Sequence, residues 1–158
     1  MSDQPGVTQT LLTATAVVAS GNSGAVALTL SPDEMTLVLD VTTAETGVGT
    51  LDVYLQTSHD GGTTWTDFAH FTQVTTAAVR RVAGWSVSSA NNAAGADTTT
   101  GDAVLAAGKI INGPIVSAQV RVKYVIGVGT GSYTFVVRAI LSKWRDSSFA
   151  QTGPVGTT

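Results

Sequence analysis

Residues 51–65 read LDVYLQTSHDGGTTW and join a strand pattern to a turn pattern. Over residues 51–56, apolar residues alternate with polar or amphipathic ones, which predicts a strand with one buried face. The Asp-Gly-Gly sequence at 60–62 predicts a tight turn, because glycine adopts positive φ at no steric cost. The segment therefore predicts a β-hairpin that returns through residues 64–71.

The rest of the chain has the same character. Further strands are predicted at 35–41, 79–87 (with a break or bulge at Gly84), 104–111, 116–126 and 133–141, and a hairpin-like pair at 10–18 and 25–30. Thr, Val and Ile together make 51 of the 158 residues, beside 17 Gly, a composition that favours strands and turns over helices. We therefore predict one all-β domain, residues 1–158, folded as a two-sheet antiparallel sandwich of jelly-roll or immunoglobulin-like type with about eight strands.

The alternation also predicts which side chains face the core and which segments lie outside it. Residues 1–8 and 146–158 are expected to be flexible polar arms, and residues 88–102 a long loop. The predicted core residues are Leu37, Leu39, Leu51, Val53, Leu55, Val122, Tyr124, Phe135 and Val137.

Charge and cysteine content exclude several classes of function. The chain has 8 Lys+Arg and 11 Asp+Glu, a net charge of −3, and only 12 % charged residues, about half of the usual ~25 %. The basic residues form no cluster that would follow a phosphate backbone, so no nucleic-acid partner is expected. There is no cysteine, which excludes disulfides and thiolate metal sites. Neither a signal peptide nor a membrane segment is predicted. So small a share of charged residues favours a protein whose surface is partly buried against neighbouring molecules.

Residues 58–65 fit the pattern S-x-D-x-G-x-T-W, which resembles the Asp-box of sialidases and related propellers. The Ser58 and Asp60 side chains are expected to bond turn amides, Gly62 to adopt positive φ, and Trp65 to close the base of the hairpin. Because the motif occurs once in this chain, it predicts a structural turn rather than a sugar-binding site. Replacing Asp60 by Ala is expected to destabilise the hairpin without abolishing binding.

No catalytic, cofactor or metal site is predicted. Ser58, His70 and Asp67 could be assembled into a triad on paper, but no nucleophile elbow supports it. The two histidines, His59 and His70, lack metal-ligand spacing. A calcium site at a sandwich edge is an alternative, but the spacing of the carboxylates favours solvated side chains. The carboxylates in that alternative are Asp33, Glu34, Asp40 and Asp52.

The end of the chain carries the residues that we predict to contact a partner. Trp144 lies beyond the last predicted strand beside Arg145, and aromatic residues among cations are frequent contact anchors. Phe149 is the one large apolar residue of the tail. These three residues form the predicted interface. An alternative role for Trp144 is to cap the end of the domain.

Two blocks of sequence resemble small virion proteins of tailed bacteriophages. The first, within residues 50–75, contains LDVYLQTS, DGGTTWTD and FTQ; the second, within 116–141, contains VRVKY and GTGSYTF. The resemblance covers about a third of the chain and implies a non-enzymatic structural role without catalytic residues.

The function expected from this resemblance is that of a head-decoration or minor capsid protein. It would bind the major capsid protein or another virion protein as a homo-oligomer, with a trimer favoured, in a virion assembled in the host cytoplasm. The alternatives are a neck or tail protein, or a carbohydrate- or cell-surface-binding module. For the latter, Tyr54, Trp85 and Trp144 are the candidate aromatic residues.

Overall fold

The computed structural model of the chain describes residues 6–44, 49–75, 79–86, 106–110, 116–127 and 131–142. These residues contain no helix and ten strands. The strands are β1 (Val7–Val17), β2 (Gly21–Asn22), β3 (Val26–Ala27), β4 (Glu34–Ala44), β5 (Leu51–Ser58), β6 (Thr66–His70), β7 (Val79–Ser86), β8 (Lys109–Ile110), β9 (Gln119–Ile126) and β10 (Tyr133–Ser142).

The strands form two antiparallel sheets. Sheet A has the order β1-β10-β4-β7, and sheet B has the order β2-β9-β5-β6-β8, with β3 also paired to β9. The two-residue strands β2 and β3 pair with successive parts of β9, so they are two halves of one edge strand. The all-β, two-sheet prediction is confirmed.

The strand order decides between the two predicted topologies. With β2 and β3 counted as one strand and β8 as an added edge, the sheets follow the orders 1-8-3-6 and 2-7-4-5. The first and last strands are neighbours, as in a jelly roll built from two Greek keys. An immunoglobulin fold would instead place the first two strands in the same sheet. The sandwich is therefore a jelly roll.

The core lies between the sheets and is made by the inward side chains of the longest strands. The period-two alternation of β4 and β10 buries every second residue, because one face of each sheet must be free of water for the sheets to pack. The predicted core is confirmed for Leu37, Leu39, Leu51, Val53, Leu55, Val122, Phe135 and Val137. The ninth predicted residue, Tyr124, is only partly buried and meets the ring of Phe135 edge-on, with centroids 5.5 Å apart.

Near the N-terminus the sequence interpretation needs correction. Strand β1 begins at Val7, inside the segment 1–8 that was expected to be an arm. It pairs with β10 in sheet A rather than with residues 25–30, and its inward residues Leu11 and Ala14 join the core between the sheets. Residues 20–24, which join the two segments expected to form a hairpin-like pair, instead carry the chain from sheet A to sheet B.

Two smaller expectations also differ from the structure. Gly84 lies in regular register opposite Thr36, with continuous pairing of β4 and β7, so β7 has no bulge there. The strand expected at 104–111 is limited to Lys109–Ile110 among the residues described. The predicted loop 88–102 and C-terminal arm 146–158 lie outside the described residues.

Candidate interaction surfaces

The turn between β5 and β6 is organised by the carboxylate of Asp60. It accepts hydrogen bonds from the Thr64 amide (2.8 and 3.0 Å), the Thr64 hydroxyl (2.7 Å) and the Thr63 amide (3.1 Å). The Ser58 hydroxyl donates to the same carboxylate at 2.8 Å. These bonds, those from Thr64 above all, lower the pKa of Asp60 to about 2, because each of them favours the charged form.

The glycines and the tryptophan of the turn complete this arrangement. Gly61 and Gly62 have φ of 73° and 94°, a region that side-chain-bearing residues rarely adopt. The Gly62 amide donates to the Ser58 hydroxyl at 2.7 Å, and the Trp65 indole donates to the Gly62 carbonyl at 3.0 Å. The guanidinium of Arg121 stacks on the Trp65 ring, 4.4 Å from its centroid. The four predicted turn residues thus bond to one another and to their own hairpin.

The outer face of sheet B carries a chain of polar side chains across three strands. The Gln56 amide donates to Asp67 on β6 at 2.6 Å and accepts from Arg121 on β9 at 2.6 Å. Gln56 is only 5 % exposed although it points away from the core. Burial lowers the pKa of Arg121. Gln56 therefore links an acidic and a basic side chain that flank it on the neighbouring strands.

A second polar group follows on the same face. The Asp52 carboxylate bonds with Nε2 of His70 at 3.1 Å and accepts from Gln73 at 2.8 Å. The Tyr54 ring stacks on His70 with centroids 3.9 Å apart, and Lys123 lies 5.6 Å from the Tyr54 centroid. Burial, together with the charge of Asp52 and Asp67, raises the pKa of Tyr54.

The structure does not bring Ser58 and His70 together as a catalytic triad would require. Ser58, the last residue of β5, is engaged in the turn, whereas His70 lies opposite Tyr54, four positions back along β5, and bonds to Asp52. Four strand positions correspond to ~13 Å. Acid–base catalysis needs its groups within hydrogen-bond reach, and this arrangement does not provide that.

Two of the carboxylates of the alternative calcium site lie in different sheets. Asp40 lies on β4 in sheet A, whereas Asp52 lies on β5 in sheet B. In the described part of the chain, no three His, Cys, Asp or Glu side chains are grouped so that they could hold a metal ion.

The outer face of sheet A carries a three-residue ion cluster that we did not predict. The Asp40 carboxylate bonds to Nε and Nη2 of Arg80 on β7, at 2.5 and 3.1 Å, and to Arg138 on β10, at 2.9 Å. The Arg80 bond and the charges of both arginines lower the pKa of Asp40. Alternation in the sequence already placed Asp40 and Arg138 on the outer faces of their strands. The strand order, which the sequence did not supply, was needed to place them side by side.

Aromatic residues considered for a carbohydrate platform are not exposed where the structure describes them. Trp85 is buried on the inner face of β7, and Tyr54 is buried beneath His70 and Lys123. The third candidate, Trp144, and the other predicted interface residues, Arg145 and Phe149, lie outside the described residues.

Comparisons with models of protein families, with curated proteins and with solved structures find no match. Within the ranges that the structure describes, no helix is long and apolar enough to cross a membrane.

Proposed function

We propose that this chain is a non-enzymatic structural protein of a tailed-bacteriophage virion, namely a decoration or minor capsid protein that binds and stabilises the head shell as a homo-oligomer. One observation carries the proposal. One strand from each of the two sequence blocks that resemble phage virion proteins lies beside the other, because β5 and β9 pair without interruption from Leu51↔Ile126 to Ser58↔Gln119, whereas β10, also from the second block, lies in sheet A. Strand β6, from the first block, pairs with β5 on its other side.

The jelly-roll fold is compatible with this role. Jelly rolls occur in viral capsid proteins and in lectins, so the fold by itself does not choose between them. The near-neutral composition supports a protein whose surface is partly covered in an assembly, since free monomers usually carry more charge.

The side-chain chemistry of the described residues also supports a structural role. The carboxylates of Asp52 and Asp60 accept hydrogen bonds from their own neighbours, and Gln56 connects Asp67 to Arg121. These groups hold strands and turns together, and none of them converges on a position where a substrate could react.

Carbohydrate binding is the weaker alternative for the described part of the chain. Sugar-binding faces usually offer exposed aromatic rings, and both described candidates, Tyr54 and Trp85, are buried. The Asp-box turn adds no argument, because its polar atoms are bonded within the hairpin.

The test is the location and copy number of the protein in purified particles. Heads and tails are separated, and the chain is quantified in each fraction by mass spectrometry, with its position then located by cryo-electron microscopy. We expect many copies on the head shell. Finding the chain only in the neck or tail would overturn the head assignment, and its absence from particles would overturn the virion proposal.

A second test addresses the C-terminal arm. Deleting residues 146–158 is expected to leave the sandwich folded but to reduce occupancy on shells, since Phe149 is the predicted anchor of the arm. Phe149→Ala should reproduce much of that loss, whereas Val155→Ala, an apolar truncation in the same arm, serves as the matched control. Full occupancy of the truncated protein would show that the arm is not the attachment.

A further inference from the structure

Each of the two sheets has two edges, and three of these four edges are short or irregular. Strand β1 has register shifts between Thr10 and Leu12 and between Ala14 and Val17, and Ala16, within the second of these, has a φ of 50°. In sheet B, the edge strands β2, β3 and β8 have two residues each. Short and bulged strands are the usual protection of a sheet edge against pairing with another chain.

The fourth edge, strand β7, has neither form of protection. Its eight residues pair with β4 in uninterrupted register from Glu34↔Ser86 to Val41↔Val79, and they include no proline. Among the residues that the structure describes, no strand pairs with the other side of β7. The backbone of β7 therefore has the regular, extended form to which a further antiparallel strand can be added.

Gly84 marks this edge as a place where another backbone can approach. A glycine inside a strand weakens it and is typical of a bulge or of a close backbone neighbour, and the continuous pairing with β4 excludes a bulge. A Cβ built on Gly84 would meet no atom within 4 Å. Two residues away on the same face of the strand, the Val82 side chain is 60 % exposed. An empty position and an exposed apolar side chain thus lie side by side on this edge.

We propose that β7 pairs antiparallel with β7 of a second copy of this chain, about a two-fold axis that is perpendicular to sheet A and passes between the two Ala83 residues. The pairing then extends from Arg80 opposite Ser86 to Ser86 opposite Arg80, and the two A sheets join into one continuous sheet. Val82 of each copy lies opposite Gly84 of the other, so the exposed valine packs beside the empty position. Because a two-fold contact is made twice by the same residues, both valines are covered at once.

The charge of Arg81 selects this register. Paired side chains lie on the same face only when the axis passes at a residue and not between two residues. An axis at Arg81 would set two guanidinium groups directly opposite each other, and an axis at Val82 would leave them diagonal, where like charges still repel. With the axis at Ala83, four strand positions, or ~13 Å, separate the two guanidinium-bearing residues. Each Arg81 then lies opposite Trp85 of the other copy, and an aromatic ring is a favourable neighbour for a guanidinium.

The size of the contact fits reversible pairing. One pair of strands, held by backbone hydrogen bonds between residues 80–86 of each copy, buries less surface than a standard interface of ~1,600 Å². The paired form should therefore dissociate on dilution. The contact gives a dimer, or a hexamer where a three-fold contact also forms.

The first test measures the mass of the full-length protein by sedimentation over a range of concentrations. Val82→Lys places two lysines diagonally across the axis, and lysine on an edge strand opposes pairing, so the dissociation constant should rise about ten-fold or more. The matched control is Val18→Lys, because Val18 is 67 % exposed and lies outside the strands. It should leave pairing unchanged. Circular dichroism checks that both variants keep the strand spectrum of the parent.

The second test uses the absence of cysteine from the chain. Residues directly opposite each other have Cα atoms ~4.5–5.5 Å apart, which suits a disulfide, whereas diagonal residues, at ~7–8 Å, are too far apart. Under a mild oxidant, Val82→Cys mixed with Gly84→Cys should therefore form a covalent dimer that neither variant forms alone. Val18→Cys mixed with Gly84→Cys is the control for chance oxidation. Both β7 positions have room for cysteine, because Val82 is exposed and Gly84 has open space and no positive φ.

The proposal is supported by an even-numbered assembly that Val82→Lys weakens and by a covalent dimer in the mixture of Val82→Cys and Gly84→Cys. A mass that stays monomeric or trimeric at all concentrations overturns it. So does an assembly that Val82→Lys leaves unchanged, or a Val82→Cys variant that crosslinks alone as well as in the mixture. These measurements use the purified protein, so its absence from virions would refute the proposed function and leave this result unchanged.

Discussion

Gly127, which follows β9, is expected to be intolerant of even one added carbon. A Cβ built there would overlap the hydroxyl oxygen of Thr50, which precedes β5. The Gly127 amide also donates to the Thr50 carbonyl at 2.9 Å, which fixes the two residues side by side. Gly127 does not have a positive φ, so the obstacle is space and not backbone conformation.

The size and sign of the effect depend on Thr50. In the wild-type background the Thr50 side chain must rotate or the strand ends must separate, and such overpacking costs ~1–3 kcal/mol. In a Thr50→Ala background the nearest remaining contact of the new Cβ is at 3.5 Å, an ordinary van der Waals distance. There Gly127→Ala should stabilise the protein by ~0.4–1 kcal/mol, because alanine reduces the entropy of the unfolded chain.

The assay is urea unfolding of four proteins: the parent, Gly127→Ala, Thr50→Ala and the double variant. Their midpoints give a double-mutant cycle, provided that the slopes with denaturant agree. We expect the sign of the Gly127→Ala effect to reverse between the two backgrounds. An equal cost in both would refute the contact between the end of β9 and the start of β5.

Three further substitutions test the turn and the outer face of sheet B. Asp60→Asn should destabilise the protein at neutral pH and flatten the loss of stability on acidification. The pKa of Asp60 is lowered from an ordinary 3.8 to about 2 in the folded protein. The ionised carboxylate therefore contributes stability that is present above pH ~4 and is lost as the pH falls towards 2. Parallel melting profiles of mutant and parent would contradict this. Gln56→Leu should cost ~1–3 kcal/mol in urea unfolding, because Asp67 and Arg121 lose the amide that joins them; an unchanged midpoint would mean that the amide is dispensable. The pKa of Tyr54 is raised above its ordinary value of 10. The stability that the protonated side chain contributes is therefore lost as the pH rises beyond 10. Because phenylalanine does not ionise, the Tyr54→Phe variant should lose less stability than the parent in alkaline melting experiments. An identical alkaline loss in both proteins would count against the raised pKa.

Local patterns in the sequence determined the strands and their inward faces. The alternation of Leu51, Val53 and Leu55 with polar neighbours follows from the two-residue period of an extended chain, whatever the strand pairs with. The turn at Ser58–Trp65 could also be predicted from the sequence, because Asp60 accepts hydrogen bonds from amides only three and four residues away. Contacts this close in sequence depend on backbone geometry that the residues themselves specify.

The tertiary structure alone decided which strands are neighbours. Arg80 and Arg138 reach Asp40 from 40 and 98 residues away, and no periodicity records that β4 lies between β7 and β10. In the same way, alternation assigns Tyr54 to the outer face of its strand, but the burial of Tyr54 depends on what packs over it. Period-two alternation fixes only the face on which a side chain stands. Its neighbours on that face follow from the one strand order that closes both sheets over a common core.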